Sequence, residues 1–175
     1  MRKASGSKTS LGSIVCAVVS VSICSAMTVG GVAQAKAKTS SEERVAIERL
    51  FVAWNSRDVD KVVAVFDSAA VYDDVAAGQV HHGRQEIRKW VTGAFRDIDN
   101  FKLEVVRSRF YKGGGVVEWV WSGSDKGLFN TGRGFSIRGI SVVDIRRGKV
   151  SHYKEYYDFG TLMRQLGLAS TETEK

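Results

Sequence analysis

Hydrophobic side chains follow one rhythm before Phe101 and another after it. Ile47, Leu50, Phe51 and Trp54 recur at three- and four-residue intervals, which predicts an amphipathic helix. Ser40 followed three residues later by Glu43 reads as a capping box opening it, and Asn55-Ser56-Arg57 breaks it. Asp58 can cap a short second helix whose Val62, Val63 and Phe66 turn inward. Ala70 to Asp74 reads as a first strand and Val75 to Gly83 as a glycine-containing loop. Ile87, Trp90, Val91 and Phe95 then form the apolar stripe of a third helix.

From Phe101 the period becomes two, predicting long strands at Phe101–Tyr111, Val116–Gly123, Arg133–Arg146 and Lys149–Tyr157. Lys112-Gly113-Gly114-Gly115 and Arg146-Arg147-Gly148 are tight turns, so these consecutive strands run antiparallel. A long, curled sheet cannot bury its concave face against itself, and the helices before it must cover that face. The predicted fold is therefore α+β: a cone-shaped, strongly curved mixed or antiparallel sheet under three N-terminal helices.

The first 35 residues stand apart. Arg2, Lys3 and Lys8 precede a low-charge stretch from Leu11 to about Val32 that ends in Ala33-Gln34-Ala35, the layout of a cleaved signal peptide. Residues 36–41 are a polar leader, 42–168 the folded domain and 169–175 a polar tail. Both cysteines, Cys16 and Cys24, lie in the signal segment, so the mature chain is expected to hold no thiol or disulfide and to be secreted or periplasmic, free of the membrane after cleavage. Taking Arg2, Lys3 and Lys8 from the 26 basic residues leaves a net charge of +4 against 19 acidic ones. That charge is spread along the chain without a basic stripe, which speaks against nucleic acid as a partner.

The order of Thr131-Gly132-Arg133, Gly148-Lys149-Val150, Tyr156-Tyr157-Asp158 and Leu162-Met163-Arg164-Gln165-Leu166-Gly167 resembles the SnoaL-like polyketide cyclases and, more broadly, the nuclear transport factor 2-like superfamily. The resemblance spans Glu43 to Gly167 and implies a cone closed around one apolar pocket. It places Asp158 where the cyclases keep an acid/base aspartate. Asn55 to Asp74 is also similar to the steroid isomerases, whose proton-abstracting aspartate would be Asp74. Their tyrosine donor falls on Leu50 and their protonated aspartate near Ser141, so the isomerase oxyanion hole is missing. Gly123-Ser124-Asp125-Lys126-Gly127 carries Asp125 where many members have a histidine. Glu118-Trp119-Val120-Trp121 lacks the Arg/Asp pair that the limonene epoxide hydrolases require.

Asp74 and Asp158 are thus the candidate catalytic residues. A carboxylate desolvated in an apolar cone acquires the raised pKa that suits a general base near neutral pH. Each also has a structural role open to it. Asp73 or Asp74 can cap the following loop or pair with Arg84, and Asp158 can cap the helix starting near Gly160-Thr161. Tyr72, Trp119, Trp121, Val143, Tyr153, Glu155 and Tyr157 are the expected pocket walls for a small hydrophobic molecule. By parity Asp158 differs from Tyr157, so it reaches the cone only if the strand bulges or ends just before it. His81, His82 and His152 lack the spacing of a metal site, and the two adjacent histidines read as a surface loop.

The expected activity is cofactor-free acid/base chemistry of cyclase, isomerase or lyase type on a small hydrophobic carbonyl compound. The alternative is a non-catalytic module of the same fold that holds a small ligand or a protein. Apolar residues on both faces of the long strands, such as Ile140 and Val142 opposite Ser141 and Val143, predict a homodimer through the convex face.

Overall fold

The computed structural model describes residues 30–169, with side chains from residue 42 onward. The signal segment up to residue 29 and the tail from residue 170 lie outside the described residues. The elements run α1 (Gly30–Asn55), α2 (Val59–Val65), β1 (Phe66–Asp74), β2 (Gln79–His82), α3 (Gly83–Asp97), β3 (Ile98–Tyr111), β4 (Gly114–Asp125), β5 (Gly134–Arg146), β6 (Lys149–Tyr157) and α4 (Phe159–Gln165). The predicted class holds, as one six-stranded mixed sheet in the order β2-β1-β6-β5-β4-β3.

Two local expectations change. Helix α1 runs through Ser40 from Gly30, so the capping box does not open it; Glu43 instead accepts a hydrogen bond from the Gly113 N–H (3.0 Å), tying α1 to the β3–β4 turn. The expected loop before α3 contains β2, which pairs antiparallel with β1 and brings His81 opposite Tyr72. The helix expected near Gly160-Thr161 follows β6 as α4, with Asp158 as its N-cap.

The break after α1 has a clear physical basis. The Asn55 side chain donates to the Leu103 carbonyl and accepts from the Leu103 N–H, both at 2.8 Å, mimicking a strand partner for β3. Arg57, at a φ of 53°, donates to the carbonyls of Ile98 and Phe95, which fixes the corner between helix and sheet. Asp58 caps α2 through the N–H groups of Asp60 and Lys61, as its position suggested.

The core lies between the concave sheet face and α1–α3. Ile47, Leu50, Phe51 and Trp54 of α1, Val62 of α2, and Ile87 and Val91 of α3 pack on Phe66, Val117, Trp119 and Tyr153. Fully burying a side chain of this size contributes roughly 1.5–3 kcal/mol. At Gly139 on β5 the sheet admits no side chain, because a Cβ there would enter the Trp119 ring on β4. That close approach lets the indole lie flat on the sheet. The core does not fill the cone: toward β1, β6 and the loop after β4 it leaves a cavity of about 340 Å³.

Candidate active site

The cavity's polar floor comes from one juxtaposition in the sheet. β1 and β6 are parallel, and their register sets Tyr72 beside Tyr153 and Asp74 beside Glu155. Alternation along the strands turns all four side chains into the cone. Asp73 points the other way and pairs with Lys154 at 3.3 Å, which settles which aspartate faces the pocket. Arg84 donates to the Phe66 carbonyl, at 2.8 and 2.6 Å, and to neither aspartate.

Asp74 is 1% exposed. Its Oδ1 accepts from the Ala77 N–H (2.9 Å) and its Oδ2 from the Tyr157 hydroxyl (3.2 Å), so it caps the β1–β2 turn and lines the cavity at once. Burial raises its pKa above the ordinary carboxylate range. Glu155 is 8% exposed and its Oε1 accepts from the Tyr72 hydroxyl at 2.6 Å. Burial first, and then the neighbouring Asp74 charge, pushes the Glu155 carboxyl up to about 8. Two carboxylates so placed cannot both ionise cheaply, and they titrate as a pair. Near neutral pH Glu155 holds its proton.

A directional relay supports Glu155 from behind. The Trp119 indole N–H can only donate, and it does so to Ser141 Oγ at 2.7 Å; the Ser141 hydroxyl therefore donates onward to the Tyr153 oxygen at 2.6 Å. That leaves the Tyr153 proton free to turn toward Glu155. Ser141, where the isomerases' protonated aspartate would fall, is thus a buried link in the relay, and Leu50, at their tyrosine position, is plain core.

Of the expected walls, Tyr72, Trp119, Trp121, Tyr153, Glu155 and Tyr157 do line the cavity. Val143 does not: it is fully buried in the core behind the wall. Asp158 leaves the site altogether. Strand β6 ends at Tyr157 without re-aiming the next residue, and the Asp158 side chain is 60% exposed as the N-cap of α4, accepting from the Thr161 N–H at 2.8 Å. The bonds from Thr161, its hydroxyl above all, hold the Asp158 carboxyl below its usual range, the reverse of what a buried acid would show. The second carboxylate is Glu155, three residues earlier and in phase with Tyr153 and Tyr157.

Two further residues emerge only from the structure. His81, expected on a surface loop, stacks on Trp90 (5.3 Å between centroids, 12° between planes), and its Nε2 is buried without a partner among the described residues. Burial lowers its pKa, so it is a neutral neighbour of Asp74 at neutral pH. Asp125 is 1% exposed and accepts from the Phe129 N–H (3.0 Å), the Thr131 N–H (2.8 Å) and the Thr131 hydroxyl (2.7 Å). It folds the loop after β4 so that Leu128 and Phe129 stand at the cavity mouth. The residue that replaces the common histidine therefore shapes the entrance. Among the described residues no cluster of His, Cys, Asp and Glu is arranged to hold a metal ion.

This cone, sheet and pocket define a class. Residues 47–153 match the SnoaL-like domain, and the chain belongs to that family. Several solved structures share the fold. A protein from Jannaschia sp. CCS1 assigned to the SnoaL-like polyketide cyclases superposes with a TM-score of 0.67 at 12% identity, covering 75% of this chain and 96% of that one. A protein of ketosteroid isomerase-like fold from Catenulispora acidiphila, solved with trimethylamine, gives 0.65 at 20% identity over 74% and 97%. An epoxide hydrolase of limonene-epoxide-hydrolase-like type from Mycobacterium tuberculosis gives 0.63 at 16% identity over 73% and 90%. No curated protein matches the chain in sequence. At such identities the neighbours establish fold, and the chemistry has to be argued from this pocket.

Proposed function

We propose that this protein is an exported acid/base catalyst that moves a proton on a small hydrophobic carbonyl compound, with Asp74 as base and Glu155 as acid. One observation carries the reading: two buried carboxylates, Asp74 and Glu155, stand side by side in register on β1 and β6, inside an apolar cavity. Asp74 takes the proton from the carbon next to the carbonyl as the electron pair moves onto oxygen. Glu155 donates its own proton to that oxygen, giving the neutral enol. Return of a proton to carbon at the same or another position, or attack of the enol carbon on a second carbonyl, gives isomerase or cyclase chemistry. General acid/base assistance of this kind contributes typically 10²–10⁴-fold. The SnoaL-like family and neighbours assigned to polyketide cyclases support this direction.

The test is exchange of α-hydrogens for deuterium in 2-tetralone, followed by NMR. The wild-type protein is expected to exceed the buffer rate, and Asp74→Asn to lose at least a hundredfold of that excess. Exchange no faster than buffer would refute catalysis. A ligand-holding role is then the second reading, favoured by the fact that Asp74 and Glu155 already accept from Ala77, Tyr157 and Tyr72. Export rests on the Ala33-Gln34-Ala35 site, and cleavage there would leave α1 starting at Lys36.

A further inference from the structure

We propose that the natural ligand of this cavity carries a positive charge, as a hydrophobic amine or quaternary ammonium compound. The proposal rests on the reading of the cavity as the substrate site but not on catalysis. Its basis is a mismatch of charge. The chain as a whole is basic, with a formal net charge of +7, yet no Lys, Arg or His lines the cavity, and Asp74, Asp97 and Glu155 all do. Asp97, near the mouth, is already neutralised by Arg96, which grips both its oxygens at 2.7 Å. Asp74 and Glu155 have no such partner, for among the described residues neither forms an ion pair.

A buried charge is normally paired. Here the carboxylate pair, sharing one proton, keeps a negative charge that tyrosine hydroxyls and one backbone N–H solvate in part. A neutral apolar ligand filling the cavity would strip the remaining water from Asp74 and leave the charge uncompensated. A cation would compensate it. The rest of the wall suits the same guest: ten of the residues around the cavity are aromatic, among them Tyr157, which donates to Asp74 and packs 6.4 Å from Trp119 and 5.9 Å from Trp121. Aromatic rings attract alkylated ammonium groups through their quadrupoles, where a hydrated metal ion would find too few oxygens. Combined with the chemistry proposed above, the substrate is an apolar carbonyl compound bearing a basic nitrogen.

Phenyltrimethylammonium and tert-butylbenzene have the same shape and differ in charge. Their binding to the wild-type protein is to be measured by tryptophan fluorescence and calorimetry at pH 6 and pH 9. The groups facing the pair are Tyr72 on β1, His81 on β2, and Tyr153 and Tyr157 on β6; the tyrosine hydroxyls are all held above their usual range, so across this interval the carboxylates and His81 can change charge. The cation is expected to bind at least tenfold tighter than the neutral compound at pH 9, with a smaller advantage at pH 6, where Glu155 is protonated. The Asp74→Asn, Glu155→Gln double variant should lose the preference for the cation, with tert-butylbenzene bound at least as tightly as by wild type, because the uncompensated charge is gone. Equal binding of the two compounds to wild type, no binding of either, or a preference that survives the double substitution would overturn the proposal. The wild-type pH series decides the matter even if the double variant does not fold. Selective cation binding without deuterium exchange would remove the catalytic reading alone, and exchange without cation preference would remove this one alone.

Discussion

Replacing Glu155 by glutamine isolates a large electrostatic cost in the fold. Glu155 has its carboxyl raised from an ordinary 4.5 to about 8 by burial and by Asp74. Below pH 4.5 the group is protonated in both the folded and unfolded chain and costs nothing. Between 4.5 and about 8 the unfolded chain releases the proton while the folded chain keeps it, so stability falls as pH rises and levels off above about 8. At about 1.4 kcal/mol per pH unit, the full interval amounts to about 5 kcal/mol, a large share of the roughly 5–15 kcal/mol that holds a domain together. Glutamine keeps an acceptor for the Tyr72 hydroxyl and does not titrate. Urea unfolding at pH 5, 7 and 9 should show the wild-type midpoint dropping by a margin that Glu155→Gln largely removes; in what remains, Asp74, raised by burial, and His81, lowered by burial, act in opposite senses. A wild-type stability that is flat across this range, or one that falls equally in the variant, would refute the reasoning.

Four other outcomes follow from the same structure. Asp158→Ala should leave ligand binding and deuterium exchange unchanged, with a small fall in the melting temperature from the lost cap on α4; a large loss of exchange would return Asp158 to the site. Gly139→Ala should destabilise by about 1–3 kcal/mol in urea unfolding, because the added methyl group meets the Trp119 ring in a packed core. We propose a homodimer through the convex sheet face, where Ile140 and Tyr156 are neighbours in register and each about two-fifths exposed; light scattering should give twice the chain mass, and Ile140→Lys should halve it. Mass spectrometry of exported material should find a mature chain beginning at Lys36.

The strands after Phe101 were legible because a period of two, interrupted by glycine turns, has few other physical solutions. β4 to β6 were placed within a few residues, and Trp119 and Trp121 were set on one inward face by parity alone. The β1 strand was harder. Its partner β6 follows after one helix and four other strands, and the bond joining Tyr72 to Glu155 links residues 83 apart. No local pattern specifies that a strand of Ala, Val and Tyr will insert parallel beside the last one. The β2 strand was missed for a related reason, since four residues reading Gln-Val-His-His carry no alternation strong enough to tell an edge strand from a loop.

Asp158 and Glu155 show where the two kinds of sequence evidence diverge. Resemblance pointed to the aspartate, while alternation put Tyr153, Glu155 and Tyr157 on one face and Asp158 off it; the fold followed alternation. The physical ground is that a strand bends a side chain to its other face only with a bulge, and β6 has none at its end because Asp158 is already engaged in starting α4. An aspartate that satisfies orphan N–H groups at a helix terminus is held ionised and exposed, the opposite of the environment that makes a proton donor at neutral pH. Glu155 has that environment: tyrosine hydroxyls in place of water, a second carboxylate beside it, and no cation among the described residues to keep it charged. In this chain the phase of the strand that pairs with β1 selects Glu155 as the buried carboxylate beside Asp74.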